Sequence, residues 1–426
     1  EIVSMVHDDG KRLRVPLSSS LFLLWLLSIA CLLQLPNLLD VLFQPTYSTN
    51  DQYYYHTTNN NEPVPVSSDT CTAGSTPKRR GVLIISGAST GIGRASCSYL
   101  AQRHAEILFL CGIRNVRDAY VATDTDDVGK PDKLKHPFDL PNVRYVLLDV
   151  TKDDDVERVM NMIRSSDLST HNDVDPLPLT LMGVFNNAGV SELRTLEFED
   201  PAAVRWQYEV NVMGPQRLTR AALPLLRETA TLSTSPCDEA SVNVNTRASP
   251  RIVFTGSIAG ISNGPARFAS YSGTKHALEG MADSLRSEVN ELGISVSVIQ
   301  PGFLATAMVD KARESILFAT THQSSETERA AYPHLFTERQ VRGFVDGQAM
   351  VGGMNSTLAA IEDAVFGTRP RTRYSTSIVG PLPSWLYAWL SRTLSDRTFD
   401  YFNLICVEYT HVIKLYYDTT KQFINY

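Results

Sequence analysis

The sequence predicts an α/β fold, a doubly wound parallel sheet with helices on both faces, preceded by an N-terminal membrane segment. Short apolar segments of strand length alternate with helical segments from Gly81 onward. A glycine-rich turn follows the first of these strands, and polar residues cluster where the later strands end. Since such alternation forms a parallel sheet, we expect ligands at the carboxyl ends of its strands.

The predicted elements follow one another regularly along the chain. Strands are expected at Val82–Ile85, Ile107–Cys111, Val143–Val150, Leu179–Asn186, Arg251–Gly256 and Ser295–Gln300. Helices are expected at Arg94–Arg103, from Asp153, from Pro201 and around Tyr271. The strand segments are rich in Val, Ile, Leu and Phe, which suits strands buried on both faces.

Composition excludes several kinds of protein. The chain has 426 residues, 43% of them hydrophobic, which is enough for a sizeable folded core. A net charge of −7 without a dense basic patch argues against nucleic acid as a partner. The six cysteines show neither CxxC nor Cys/His spacing, so we predict no metal site and no disulfide framework.

The N-terminal residues divide into two segments ahead of the folded domain. Leu21–Leu35 carries no charge and follows Lys11, Arg12 and Arg14, so residues 1–43 are interpreted as a membrane anchor or a cleaved signal segment. The uncleaved anchor is favoured, because no A-x-A site follows the apolar run. Residues 44–80 have the composition of a disordered polar linker. The charge distribution places the later residues on the lumenal side of the endoplasmic reticulum or a related membrane.

The stretch GVLIISGASTGIG, Gly81–Gly93, has the pattern of a phosphate-binding turn between a strand and a helix. Gly87 would permit the tight turn, Gly91 the approach of a pyrophosphate, and Gly93 close packing of the helix. The helix N-terminus adds free N–H groups and a positive dipole end. A plain turn without a ligand is the alternative for a glycine pattern alone.

Tyr271 and Lys275 stand four residues apart in YSGTK, at the start of a predicted helix. This spacing puts both side chains on one face, where the ammonium group would lower the pKa of the phenol toward neutrality. Such a phenol could exchange a proton with an alcohol or a carbonyl. An ordinary solvated pair is the alternative on spacing alone.

Seven ordered motifs resemble those of the short-chain dehydrogenase/reductase family, whose sheet is of the Rossmann type. The resemblance extends from about Gly81 to Gly380. Its motifs are TGxxxGIG with Ser86 in the threonine position, DV at Asp149, NNAG at Asn186–Gly189, VNVMG around Asn211, GSIAG around Ser257, YSGTK, and PG at Pro301. It implies a dinucleotide domain at residues 81–380 with a substrate lid near 303–343, followed by a helical extension at 381–426. Residues 371–400 more loosely resemble hydroxysteroid and retinol dehydrogenase-like members.

The resemblance implies roles for four catalytic side chains. Tyr271 would be the general acid/base, and Lys275 would lower its pKa and hold the nicotinamide ribose. Ser257 would hydrogen-bond the substrate oxygen, and Asn211 would support a water chain to Lys275. A helix cap or turn is the alternative role for Asn211.

The resemblance also implies the residues that contact the cofactor. Besides Tyr271 and Lys275 they are Gly87, Ser89, Thr90, Gly91, Ile92, Gly93, Arg114, Asp149, Val150, Asn187, Ala188, Gly189, Pro301, Gly302 and Thr306. Arg114 favours NADP(H) over NAD(H), since a guanidinium fork suits a 2′-phosphate and the end of the second strand offers no acid until Asp118. A solvated surface charge is the alternative for Arg114, and a helix cap is the alternative for Asp149.

Three stretches look inserted relative to a minimal domain. Residues 118–141 and 228–250 are polar and are predicted to be surface loops. The third, residues 303–343, is the expected lid. Its apolar side chains would either line a lipophilic pocket or pack the lid on the core, and they are Met308, Ile316, Leu317, Phe318, Tyr332 and Phe336.

Together these features predict an NADP(H)-dependent oxidoreductase that interconverts a secondary alcohol and a ketone, or an alcohol and an aldehyde. The substrate would be lipophilic, such as a steroid, a retinoid or a fatty-acyl compound. A non-catalytic nucleotide-sensing protein on the same fold is the alternative, and the intact set of four catalytic side chains favours the enzyme. The expected partners are this substrate, the membrane through the N-terminal segment, and further copies in a homodimer or homotetramer.

Overall fold

The computed structural model describes most of the folded domain and little of the N-terminal segments. The described residues are 2–6, 12–16, 79–115, 121–122, 134–135, 140–166, 177–233, 249–262, 264, 266–321, 326–338, 340–341, 352–379, 382–395 and 397–399. The apolar run Leu21–Leu35, linker residues 44–78 and residues 400–426 lie outside them. Within these ranges no helix is both long and apolar enough to cross a membrane.

Residues Glu1–Thr72 form one compact unit. Its described part is an antiparallel pair of strands, Ile2–Val6 and Arg12–Pro16, with Ile2 opposite Pro16. This strand pair precedes the apolar run and was not predicted.

The second unit, Ala73–Tyr426, contains a seven-stranded parallel sheet. Its strands are β1 (Arg80–Ile85), β2 (Leu108–Ile113), β3 (Val143–Leu147), β4 (Leu179–Asn186), β5 (Arg251–Thr255), β6 (Ser295–Pro301) and β7 (Arg373–Thr376). Their order across the sheet is β7-β6-β5-β4-β1-β2-β3. The winding reverses between β1 and β4, and at such a switch point the carboxyl ends of the strands open a crevice for a ligand.

Nine α-helices and several short turns connect these strands within the described residues. The helices are α1 (Gly91–Arg103), α2 (Asp153–Ser165), α3 (Pro201–Tyr208), α4 (Gly214–Ser233), α5 (Ala269–Val289), α6 (Ala307–Thr321), α7 (Glu326–Ala331), α8 (Asn355–Phe366) and α9 (Ser384–Thr393). A π-helical turn, Glu209–Met213, joins α3 to α4. The 3₁₀ turns are Leu196–Phe198, Ile258–Gly260, Asn290–Leu292 and Pro333–Phe336. Two short antiparallel pairs are Val121–Ala122 with Leu134–Lys135, and Ile378–Val379 with Leu382–Pro383.

The core consists of two apolar layers, one on each face of the sheet. Along β1, Val82 and Ile84 belong to one layer, whereas Leu83 and Ile85 belong to the other, as the two-residue period of a strand requires. Helices α2, α4 and α5 contribute to the first layer, and α1 and α8 contribute to the second. Because both faces are covered, the sheet is rigid where its carboxyl edge must hold a ligand.

The structure corrects several predicted features. Cys97 on α1 and Cys111 on β2 form a disulfide, with Cα atoms 6.4 Å apart. Both cysteines are fully buried in one core layer, so packing brings them together and their spacing in the sequence gives no sign of it. Helix α4 continues to Ser233, because Thr229 and Ala230 are still buried and the Thr229 hydroxyl donates to the Leu181 carbonyl on β4, so the second predicted loop is wrong in its first residues. Helix α1 begins at Gly91, three residues earlier than predicted. Strand β7 was missed altogether.

Candidate active site

The glycine-rich turn lies between β1 and the N-terminus of α1. Gly87 has a φ of +66°, and a Cβ there would stand 2.6 Å from the Ala188 Cα, so no other residue fits without moving the backbone. Helix α1 starts after Thr90, whose side chain makes no capping hydrogen bond, and its first turn contains no acidic residue. Its first N–H groups therefore lack side-chain acceptors and suit an anion.

The NNAG segment after β4 is tied to this turn by side-chain hydrogen bonds. The Ser86 hydroxyl accepts from the Asn187 N–H at 3.0 Å and from the Ala188 N–H at 3.1 Å. The Asn187 amide donates to the carbonyls of Ser86 and Gly87, both at 3.1 Å, and accepts from the Thr255 hydroxyl. The ends of β1, β4 and β5 are thus held in one rigid arrangement.

Arg114 and Asp149 follow the ends of β2 and β3. Arg114 is exposed and lines the same cavity as the glycine-rich turn. Asp149 also lines the cavity, and its carboxylate accepts from the N–H and the hydroxyl of Thr151 at 3.0 and 2.7 Å. Asp149 therefore stabilises the turn before α2, although the residue in the N-cap position is Lys152.

Asn211 lies in the π-helical turn between α3 and α4 and is fully buried. Its amide oxygen accepts from the Val190 N–H at 2.8 Å, and its amide nitrogen donates to the Val190 carbonyl at 2.9 Å and the Thr274 hydroxyl at 3.1 Å. These hydrogen bonds tie the turn to Val190 and to α5, and none of them caps a helix. The Asn211 side chain thus lies in the interior at this π turn, and single π turns within helices are frequent at functional sites.

Ser257 and Tyr271 lie side by side in the cavity wall. Ser257 begins a 3₁₀ turn and accepts from the Ala259 N–H at 3.2 Å. Burial raises the pKa of the Tyr271 phenol, and a hydrogen bond with the Ser257 hydroxyl acts in the opposite direction. The net direction is opposite to the one that the Tyr271–Lys275 spacing predicted, because burial of the phenol is the largest effect.

Lys275 is one turn further along α5 and is 4% exposed. Its Nζ donates to the Thr255 carbonyl at 2.8 Å and lies 5.8 Å from the centroid of the Tyr271 ring. Burial lowers the pKa of the Lys275 ammonium to about 8, and the charge of Glu279 opposes this shift. The predicted i, i+4 proximity is present, but the ammonium is directed at a carbonyl at the end of β5.

A single cavity of about 520 Å³ connects these groups. It is lined by Ser257, Tyr271 and Lys275 and by the predicted cofactor residues except Gly93. Gly93 packs against the Gly87 carbonyl instead, and Asn211 lies behind the wall. The remaining wall is largely apolar.

Comparison with known proteins identifies the family. The family model described as short chain dehydrogenase matches residues 81–316. The chain belongs to the short-chain dehydrogenase family. The protein is an oxidoreductase that acts on CH–OH groups, and its fold binds a nicotinamide cofactor.

Named relatives of this short-chain dehydrogenase differ in substrate. It is 27% identical over 333 residues to the mitochondrial D-beta-hydroxybutyrate dehydrogenase of Bos taurus, covering 77% of this chain and 83% of the relative. It is 29% identical to 11-beta-hydroxysteroid dehydrogenase type 2 of Homo sapiens, covering 55% of this chain and 52% of the relative. A solved short-chain dehydrogenase from Streptomyces avermitilis is 24% identical with a TM-score of 0.46, covering 70% of this chain and 87% of that one.

Sequence reasoning missed part of the cavity of this short-chain dehydrogenase. The missed apolar lining residues include Leu193, Trp206, Leu304, Val379, Leu382 and Tyr387. The last three come from β-paired and helical segments after residue 370, where only the looser resemblance of residues 371–400 gave a signal.

The apolar side chains of the expected lid in this short-chain dehydrogenase do not all have the same role. Met308 on α6 lines the cavity. Tyr332 instead donates to the Glu197 carboxylate at 2.7 Å, and Phe336 stacks on the Arg267 guanidinium at 4.1 Å. Leu317 is 44% exposed and lies outside the cavity wall, and the side chains of Ile316 and Phe318 lie outside the described residues.

Proposed function

We propose that this short-chain dehydrogenase interconverts a secondary alcohol and a ketone, or an alcohol and an aldehyde, on a lipophilic substrate with NADP(H). The observation that carries the proposal is the single cavity with two different ends. One end is the glycine-rich turn, the other is apolar, and Ser257, Tyr271 and Lys275 lie along the same wall.

The residues at the first end fit a nicotinamide dinucleotide. The start of α1 offers N–H groups without side-chain acceptors, and Ser89, Thr90 and Gly91 line the cavity beside them. Within the described residues no carboxylate pairs with Arg114. Its guanidinium can therefore bind the 2′-phosphate of NADP(H). A bound cofactor of this class supplies or accepts the hydride.

The side chains of the chain handle the proton. The raised pKa of Tyr271 keeps its phenol protonated around neutral pH, ready to donate to a carbonyl oxygen that the Ser257 hydroxyl also contacts. Lys275 holds the nicotinamide ribose. In the oxidising direction the phenol must first lose its proton, so that direction requires higher pH than reduction does.

Asn211 is proposed to support a water molecule beside Lys275. A Cβ at Gly189 would lie 3.5 Å from the Asn211 Oδ1 and 3.8 Å from the Lys275 Nζ. Because glycine has no Cβ, the space between these two polar atoms is left free, and a water there has polar neighbours on both sides.

The apolar end of the cavity supports a lipophilic substrate. Side chains from three separate segments converge there, among them Leu193, Leu304 and Tyr387. Such a wall favours burial of hydrocarbon, and one relative is named for a hydroxysteroid.

A substrate screen tests this function. The full-length chain in detergent is incubated with NADPH and a panel of steroid, retinoid and fatty-acyl ketones and aldehydes, and loss of NADPH absorbance is followed. We expect turnover with lipophilic members and little with short polar carbonyls. Turnover restricted to short polar carbonyls would contradict the proposed substrate class, and tight nucleotide binding without any turnover would favour the sensor.

We also propose that the protein is membrane-tethered, with its dehydrogenase domain on the lumenal side, and that it assembles as a homodimer or homotetramer. The Cys97–Cys111 disulfide supports the lumenal side, because disulfides persist in oxidising compartments. The apolar run Leu21–Leu35 supports the tether.

A further inference from the structure

Glu279 is a buried acid on the catalytic helix that no part of the proposed mechanism uses. It follows Lys275 by four residues and Tyr271 by eight, so the three side chains lie along one side of α5. It is 8% exposed. Since carboxylates are seldom buried unless paired, this one requires an explanation.

Both carboxylate oxygens of Glu279 are bound. Oε1 accepts from the Gln300 amide at 2.9 Å, and Oε2 accepts from Arg373 Nε at 2.6 Å. The Gln300 amide oxygen in turn accepts from the Ser375 hydroxyl at 2.9 Å. Arg373 also binds the Asp283 carboxylate at 2.8 Å. The network joins α5 to β6 and β7 and fixes the carboxylate in position.

The carboxylate lies directly behind the reactive groups. A Cβ at Gly256 would be 3.0 Å from the Glu279 Oε1, so this oxygen sits against the turn that leads into Ser257. The Thr255 carbonyl that accepts from Lys275 lies directly before this turn, at the end of β5. Glu279 does not line the cavity and cannot touch a substrate there.

Several charged and polar groups surround Lys275. Its own helix presents Tyr271 and Glu279, β5 presents the Thr255 carbonyl, and the Arg373 cation on β7 faces Glu279 from the far side. The other charged groups of the cavity wall are Arg114, Asp149, Glu192 and Lys311. Glu279 is the carboxylate whose charge counteracts the loss of the Lys275 proton on burial.

We propose that Glu279 is a positioning residue that acts through Lys275. Its negative charge holds the Lys275 ammonium protonated, and thereby sets the pH up to which the enzyme binds its nucleotide well. The proposal rests on the role of Lys275 at the nicotinamide ribose given above.

The test measures the Kd of NADPH against pH by nucleotide fluorescence, and it needs no substrate. In the wild type, binding should weaken as pH rises through the pKa of Lys275, and Lys275→Met should remove this pH-dependent weakening. In Glu279→Gln the pH at which NADPH binding weakens should fall by on the order of one unit, which is the effect expected from loss of a nearby buried charge.

Three further variants separate charge from structure. Asp283→Asn also removes an acid bound to Arg373, but the Asp283 side chain is 53% exposed and lies two helical turns from Lys275. The pH dependence of the NADPH Kd should therefore stay unchanged in this variant. Glu279→Asp keeps the charge and should largely keep the wild-type profile. Arg373→Met frees Glu279 from its cation and should move the profile to higher pH, opposite to Glu279→Gln.

The outcomes distinguish the two proposals. If Lys275→Met leaves the pH dependence intact, the proposed role of Lys275 is wrong. If Lys275→Met removes it but neither Glu279→Gln nor Arg373→Met shifts it, the role of Glu279 is overturned. Binding that weakens equally at every pH in Glu279→Gln would likewise show a purely structural role.

Discussion

At the scale of single residues, burial changes what helical spacing alone predicts. Tyr271 and Lys275 lie on one face of α5 as expected, yet both are nearly inaccessible, and burial shifts their pKa values in opposite directions. The phenol keeps its proton more firmly and the ammonium keeps its proton less firmly than in water. Their reactivity therefore depends on neighbouring groups as well as on spacing, and Glu279 is one such group that no motif identified.

Arg114 carries the residue-scale prediction about the cofactor. Arg114→Asp should weaken NADPH binding by about 1–3 kcal/mol, the size of a lost charge-assisted hydrogen bond, and should change NADH binding little. Titration of both nucleotides against the variant measures this, with Arg144→Asp on the neighbouring β3 strand as a control for the change of charge. Equal losses for the two nucleotides would show that Arg114 does not contact the 2′-phosphate.

At the scale of elements, the segment that we propose as the substrate lid is fastened to the loop after β4 by one buried carboxylate. Glu328 on α7 is 1% exposed and accepts from the Thr195 hydroxyl at 2.7 Å, the Thr195 N–H at 3.2 Å and Arg194 at 3.1 Å. Burial raises the pKa of Glu328, but these hydrogen bonds outweigh it and the net pKa is lowered. The stabilisation is thus present above the ordinary pKa of a glutamate and is lost as pH falls through the lowered value.

Glu328→Gln should loosen the lid. We expect a loss of about 1–3 kcal/mol in lid closure, the size of hydrogen bonds to a charged group, which would raise the KM of a lipophilic substrate more than the Kd of NADPH. Limited proteolysis at neutral pH should then cut residues 307–336 sooner. The matched control is Glu326→Gln, an exposed acid on the same helix. Equal proteolysis of the two variants would contradict the fastening role of Glu328.

Elements also show what the sequence can and cannot predict. The six longer strands and the glycine-rich turn between β1 and α1 were predicted because apolar runs and glycine spacing are local signals. Strand β7 was missed, since its four residues, Arg373–Thr376, alternate in burial and include an arginine, a serine and a threonine. The π turn at Asn211 and the Cys97–Cys111 pair depend on contacts between distant segments, which local patterns do not report.

At the scale of the whole molecule, the proposed membrane tether and lumenal domain make a prediction about topology. A lumenal domain agrees with the basic residues before Leu21–Leu35 and with the Cys97–Cys111 disulfide. Trp385 and Trp389 on α9 are 36% and 57% exposed, which suits either the membrane surface or packing against a second copy.

Protease treatment of sealed microsomes decides the topology. We expect the dehydrogenase domain to survive without detergent and to be digested after detergent is added. N-terminal sequencing of the mature chain should find the segment Leu21–Leu35 retained. Digestion of the domain in intact vesicles would contradict the lumenal assignment, and a mature start after Cys31 would mean a removed signal segment.

The central claim is that the Tyr271 phenol transfers the proton while the nucleotide is bound elsewhere in the same cavity. The most direct measurement is turnover and NADPH affinity in Tyr271→Phe, which removes one oxygen atom from a side chain that is already buried. We predict that turnover falls by about 10²–10⁴-fold, the usual contribution of a general acid, while the Kd of NADPH changes little. Turnover within about tenfold of the wild type would contradict the claim.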